Sequence, residues 1–298
     1  MSAREGQTFA GESGLARWAS FVKLPHTVFA LPFALVGVTF ATRTAPITLA
    51  MVGWVVLAFT CARWVAMAVN RIVDREYDAK NPRTAQREIP RGAIRVADAW
   101  VTVAIAAGLF LVAAAMLNPL CLRLAPVALA WVSFYSFTKR FTRYAHLVLG
   151  LGLAIAPVGG YLAVTGQWSD PWWALLTITV AVMTWSGGFD VLYALPDVAF
   201  DRSQGLHSIP AAIGVRNAIL VARALHLVTV LALAATVVAF GAGTLAWVGV
   251  GLAAALLTYE HSLVSGDDLS KLDAAFFTMN GVISMAFFGC VLADRILA

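Results

Sequence analysis

Long uncharged apolar blocks recur along this chain, separated by short polar stretches in which the cations collect. Residues 101–117 carry no charge, and neither do residues 241–258. Blocks this long and continuous predict bilayer-spanning helices. Helices and closed barrels are the structures that satisfy every backbone group in hydrocarbon, and these runs lack a barrel's alternation. The pattern predicts an all-α, polytopic membrane bundle of about nine spans. They fall at roughly 21–42, 48–69, 96–117, 121–138, 145–165, 172–194, 216–240, 243–264 and 272–293. The second span is expected to run on past the membrane toward Asp78.

Composition strengthens this picture. The chain has 298 residues, 60% hydrophobic and 12% charged, whereas soluble domains are about half apolar and a quarter charged. The net charge of +5 does not point to nucleic acid, because the cations lie between the apolar blocks. Arg4, Arg17 and Lys23 precede the first block. Arg71, Arg75, Lys80, Arg83, Arg87, Arg91 and Arg95 separate the second and third, and Lys139, Arg140 and Arg143 follow the fourth. Arg202 and Arg216 follow the sixth, and Lys271 follows the eighth. The opposite loops hold little beyond Arg43 and Arg123. By the positive-inside rule the cation-rich face is cytoplasmic, with the N-terminus inside and the C-terminus outside. Residues 1–17 form a polar tail without a charged-then-apolar leader, which predicts no cleaved signal peptide. The cysteines Cys61, Cys121 and Cys290 have no metal-ligand spacing and read as small apolar residues.

Two acidic clusters at span ends need a chemical reason, since charges at membrane depth are costly. In the first, steps of four residues place Asn70, Asp74 and Asp78 on one helical face. Like charges at that spacing weaken an isolated helix. A bound divalent cation reverses the effect, and magnesium often bridges carboxylates to substrate phosphates. In the second, Asp197 and Asp201 repeat the spacing, and Asp190 lies two turns earlier, deeper in the membrane. Pro196 is expected to loosen the helix just before that pair. Both clusters fall on the same predicted side. Two carboxylate pairs around one cavity suit metal-assisted departure of a pyrophosphate. Arg83, Arg87 and Lys139 are candidate diphosphate ligands, the arginines through their planar donor forks. Arg63, on a similar face two turns before Asn70, is a candidate for an acceptor carboxylate, ahead of His26.

At these residues the sequence resembles the UbiA family of intramembrane prenyltransferases. The family carries N-x3-D-x3-D after its second helix, then R-T-x-x-R, and Y-x3-D-x3-D after its sixth. Here these are Asn70/Asp74/Asp78, Arg83-Thr84-Ala85-Gln86-Arg87 and Tyr193/Asp197/Asp201. The segments 135–142 and 150–157, with Asp190 and Tyr193, extend the match over nearly the whole chain beyond the tail. The resemblance implies one domain, 18–298, of about nine spans around a central cavity open to the cytoplasmic side and laterally to lipid. It implies Mg2+-dependent transfer from a polyprenyl diphosphate, with Asp74, Asp78, Asp197 and Asp201 as metal ligands. Asn70, Arg83, Arg87, Lys139 and Arg63 then serve substrate binding, and Asp190 and Tyr193 serve the chemistry. Segments 22–34, 81–90, 259–261 and 273–281 are most similar to the 4-hydroxybenzoate polyprenyltransferase group. Within it they resemble the UbiA-like branch, some of whose members prenylate a dihydroxynaphthoate for menaquinone, so 4-hydroxybenzoate, in ubiquinone-type quinone synthesis, is the expected acceptor and the naphthoate its alternative. An aromatic acid acceptor and the inner (cytoplasmic) membrane are therefore expected. His207 and Arg91 depart from the family pattern. A carrier with intramembrane acids is the rival of another class. It predicts inverted repeats with helices broken near the midplane.

Overall fold

The computed structural model describes residues 14–264, 269, 272 and 279–298, leaving aside the side chains of residues 15 and 24–29. His26 therefore lies outside the described side chains, as do Lys271 and most of the 273–281 segment. Among the described residues the regular structure is helical throughout. A short helix, α1 (Gly14–Phe21), leads through Lys23, in left-handed conformation with φ 47°, into α2 (Leu24–Ala41). Then come α3 (Leu49–Val73), α4 (Arg75–Lys80), α5 (Val96–Leu117), α6 (Pro119–Thr138), α7 (Ala145–Thr165) and α8 (Ala174–Tyr193). The chain continues with α9 (Val198–Ser203), α10 (Ile209–Ile213), α11 (Val215–Ala239), α12 (Thr244–Leu263) and α13 (Asn280–Leu297).

Seven of the described helices are long and apolar enough to cross a membrane: α3, α5, α6, α7, α8, α11 and α13. The expected count of nine is not reached by that measure. The other two expected spans coincide with α2, of 18 residues, and α12, of 20. Glu260 and His261 in its last turn reduce the apolarity of α12.

Burial ranks the helices. In α8, 67% of the span is buried, against 11% in α6, so α8 is central and α6 peripheral. α8 packs along α7 and α11, and α7 also packs along α2. Glycine permits these approaches. A Cβ on Gly150 would run into the backbone of Met183, and one on Gly37 or Gly160 into that of Pro157 or Ala34. Small residues of this kind let membrane helices pack backbone to backbone. Trp185 of α8 fills the resulting core between Phe33 and Phe189, at ring-centroid distances of 4.8 and 5.1 Å.

The bundle end away from the acidic motifs is tied structurally. Asp294 accepts from the backbone N–H of Gly243 and Leu245, satisfying the start of α12, and pairs with Arg43 at 3.1 Å. Arg43, one of the few cations expected in the opposite loops, thus has a packing role there.

Candidate active site

The first acidic motif straddles a helix junction. α3 ends at Val73 and α4 starts at Arg75, so the expected single helix to Asp78 is interrupted at Asp74. The interruption is slight. Asp74 N–H still donates to Asn70 O at 2.9 Å and Asp78 N–H to Asp74 O at 2.8 Å, so the four-residue steps stay nearly in phase. The second motif is broken outright. α8 stops at Tyr193, a 3-10 turn covers Leu195–Asp197 with Pro196 inside it, and α9 carries Asp201. Asp190 and Asp197 therefore do not share one continuous helical face, as the seven-residue interval suggested. The turn brings both to the same cavity instead.

That cavity, about 210 Å³, is lined by Asn70, Asp74 and Asp78 from one side and Asp190, Tyr193, Asp197 and Asp201 from the other. Arg83, Arg87, Lys139 and Arg63 complete the wall, so every candidate site residue lines one space. A second chamber of about 490 Å³, walled almost wholly by apolar side chains of α2, α3 and α5–α8, shares Arg63, Tyr135, Leu149 and Leu153 with the first. Arg63 and Tyr135 stand at the junction of a polar and an apolar compartment.

The arginine segment after α4 closes over both motifs. Arg87 grips Asp78 through Nη1, at 2.7 and 2.9 Å to the two carboxylate oxygens. Arg83 reaches across to the other motif. Its Nε donates to Asp197 Oδ1 at 3.0 Å and its Nη2 to Oδ2. Asn81 Nδ2 adds a bond to the same Oδ1 at 3.0 Å. Asp201 accepts from Ser208 Oγ at 2.8 Å. Asp74 accepts from Asn70 Nδ2 at 2.9 Å and faces Arg140 at 3.6 Å. Burial, with the charge of Asp78 adding to it, pushes the Asp74 carboxyl up to about 6 against the pull of Lys139, Arg140 and Arg87. Burial likewise raises Asp201. Burial works against the Lys139 ammonium, but Asp190, Asp201, Asp197 and Asp74 together carry it above its ordinary value.

Tyr193 lies between two cations. Arg83 stands 5.0 Å from its ring centroid, Lys23 stands 5.5 Å away, and Lys23 Nζ donates to its hydroxyl at 3.4 Å. Asp190 Oδ2 sits 2.6 Å from Nδ1 of the fully buried His146. Lys23, Asn81, His146 and Ser208 were not singled out from the sequence. For His146 the signal was there, an ionisable side chain at the start of an otherwise apolar helix. The exposed His207 lies outside the cavity lining, its N–H spent on Lys139 O at 2.7 Å. Nothing in the structure explains Arg91.

A family profile described as the UbiA prenyltransferase family matches residues 30–282. The chain belongs to the UbiA prenyltransferase family. It is thus a transferase and an integral, multi-pass membrane protein, and the carrier alternative is set aside. A 4-hydroxybenzoate octaprenyltransferase of Paraburkholderia phymatum is 31% identical over 230 residues, covering 76% of this chain and 78% of that protein. Another from Cronobacter sakazakii is 27% identical over 247 residues, covering 80% and 83%. Among solved UbiA structures, the apo form of a homolog from Aeropyrum pernix K1 is 33% identical with a TM-score of 0.82, covering 90% of this chain and 98% of that one. A homolog from Archaeoglobus fulgidus bound to DMAPP and Mg2+ is 20% identical with a TM-score of 0.74, covering 95% and 100%, and shares the fold.

The donor set fits a hard divalent cation. The carboxylates and the Asn70 amide are hard oxygen donors on facing walls. Among the described residues no three His, Cys, Asp or Glu side chains form a ready-made cage. Magnesium suits such a site, because it binds through one or two carboxylates and completes its shell with water and substrate phosphate.

Proposed function

We propose that this enzyme transfers a polyprenyl chain from polyprenyl diphosphate to a ring carbon of an aromatic acid, with 4-hydroxybenzoate the favoured acceptor, in quinone synthesis. The observation that carries the reading is the convergence of two acidic motifs, far apart in sequence, on one cavity. The names of the 4-hydroxybenzoate octaprenyltransferase relatives support the acceptor, and homologs bound to DMAPP or GPP with Mg2+ support the donor. The cation-rich loops support a site on the cytoplasmic side, in keeping with a protein of the inner membrane.

Asp74 and Asp78 from one wall and Asp197 and Asp201 from the other would hold magnesium, which supplies counter-charge to the departing diphosphate. Asn70 orients Asp74. Lys139 neutralises remaining phosphate charge, and Arg83 and Arg87, held here by Asp197 and Asp78, would turn their guanidinium forks to the phosphate oxygens once metal takes those carboxylates. The prenyl tail lies in the apolar chamber, open to membrane lipid. Met67, Leu149, Leu153 and Phe189 line the reaction space and keep water from the allylic carbon once its C–O bond breaks. Arg63, at the junction of the chambers, receives the acceptor carboxylate. Asp190 orients the phenol and takes the proton released when the new C–C bond forms, while Tyr193 braces Arg83 and Lys23.

Incubating membranes containing the enzyme with a polyprenyl diphosphate, magnesium and a panel of aromatic acids tests the reading by product mass. The expected product is hydroxybenzoate carrying one prenyl chain in place of a ring hydrogen. Product from a dihydroxynaphthoate alone would reassign the enzyme to menaquinone synthesis.

A further inference from the structure

The imidazole of His146 is fully buried at the first turn of α7, and both its nitrogens are engaged. The backbone N–H of Ile209 points at Nε2 from 3.4 Å. Because a backbone N–H only donates, Nε2 is the bare acceptor and the ring proton sits on Nδ1. That proton is given to Asp190 Oδ2 at 2.6 Å. The ring is fixed at both ends. Its anchor is fixed too, because Ser208 caps α10 by accepting from Ala211 N–H while donating to Asp201. Asp190 lines the cavity with its side chain one-fifth exposed, and Oδ1 has no hydrogen bond among the described residues. One carboxylate oxygen is thus locked by His146 and the other is left for a ligand. A histidine that only tied α7 to α8 would have no need of a partner on the cavity wall.

We propose that His146 is a positioning residue for the acceptor half of the reaction. It holds Asp190 so that Oδ1 faces the acceptor hydroxyl, and it contributes nothing to holding the diphosphate. The inference rests on the proposed role of Asp190.

Steady-state transfer by the full-length enzyme, with farnesyl diphosphate, magnesium and 4-hydroxybenzoate, separates the roles. His146→Leu is expected to lower kcat about 100-fold, the scale on which orienting partners of catalytic groups act, with KM for the diphosphate within about threefold of wild type. His146→Asn keeps an N–H near the Nδ1 position and should recover to within about tenfold of wild type. Adding His146→Leu to Asp190→Asn should cause no further loss, because the first residue acts through the second. Near-normal kcat in His146→Leu, additive losses in the double variant, or an equal rise in both KM values without rescue by His146→Asn would overturn the inference. Should His146→Leu not fold, His146→Asn against Asp190→Asn decides, since a positioning role requires the former to be the faster enzyme. A wild type that prenylates no aromatic acid overturns the proposed function as well. An active wild type indifferent to His146 overturns this inference alone.

Discussion

The two acidic motifs share a four-residue spacing but are built differently. The first stays in helical phase across the α3–α4 junction, its backbone ladder intact through Asp74. The second depends on a 3-10 turn containing Pro196 to swing Asp197 away from α8. The first relies chiefly on local partners, Asn70 and Arg87, four and nine residues from the carboxylates they hold, with Arg140 a looser contact from just past the end of α6. The second has one local partner, Ser208 seven residues from Asp201, and is completed from far along the chain by Arg83 and Asn81. A regular helix presents its carboxylates by periodicity alone. A broken one needs outside residues to hold it in shape, and here those come from the segment that follows the first motif. The two halves are therefore coupled through Arg83 and Asn81.

The strongest way to break this pairing is to remove one carboxylate from either half. Asp74→Ala and Asp197→Ala should each reduce transfer by at least about 1,000-fold while the protein still purifies as a folded, monodisperse species. Near-normal turnover in either would remove that motif from the chemistry. The coupling itself is tested by stability. Arg83→Gln leaves the buried Asp197 without its charge partner and should destabilise by roughly 3 kcal/mol. Arg140→Gln loosens a partly exposed 3.6 Å ion pair and a bond to Val73 O at 2.9 Å, and should cost about 1 kcal/mol. Equal thermal shifts would mean that Arg83 is no more structural than Arg140. A smaller effect is expected at the junction of the chambers, where Arg63→Gln should raise the acceptor KM about tenfold and leave the diphosphate KM unchanged. The smallest concerns pH. The Asp74 carboxyl is pushed up to about 6, so below that pH a proton competes with metal. The magnesium concentration needed for half-maximal transfer by the wild type should rise as pH falls through about 6. An unchanged requirement across that range would place the metal away from Asp74.

Much of the fold was legible because lipid imposes a simple rule on sequence. The uncharged run at 101–117 coincides with most of α5, and the spans expected at 145–165 and 172–194 end within two residues of α7 and α8. The α12 span is the instructive exception. Its apolar run was clear, but Glu260 and His261 place polar groups inside the helix. The candidate site residues were legible because carboxylates at helix ends in a membrane protein require a reason. Their partners were not. Asn81 and Arg83 meet Asp197 across 116 and 114 residues, and no local pattern encodes such a meeting. The helix break after Tyr193 was only half legible, since Pro196 signalled loosening but not a 3-10 turn that re-aims Asp197. His146 escaped notice because its significance lies in Asp190, on another helix.

The proposed chemistry requires two motifs to hold one diphosphate through metal. A structure of the enzyme with Mn2+ and a non-reactive prenyl diphosphate analogue, with the metal located by anomalous scattering, addresses this directly. Metal peaks between the diphosphate and both Asp74/Asp78 and Asp197/Asp201 are predicted. Metal at one motif alone, or a diphosphate seated outside the cavity between them, would contradict it.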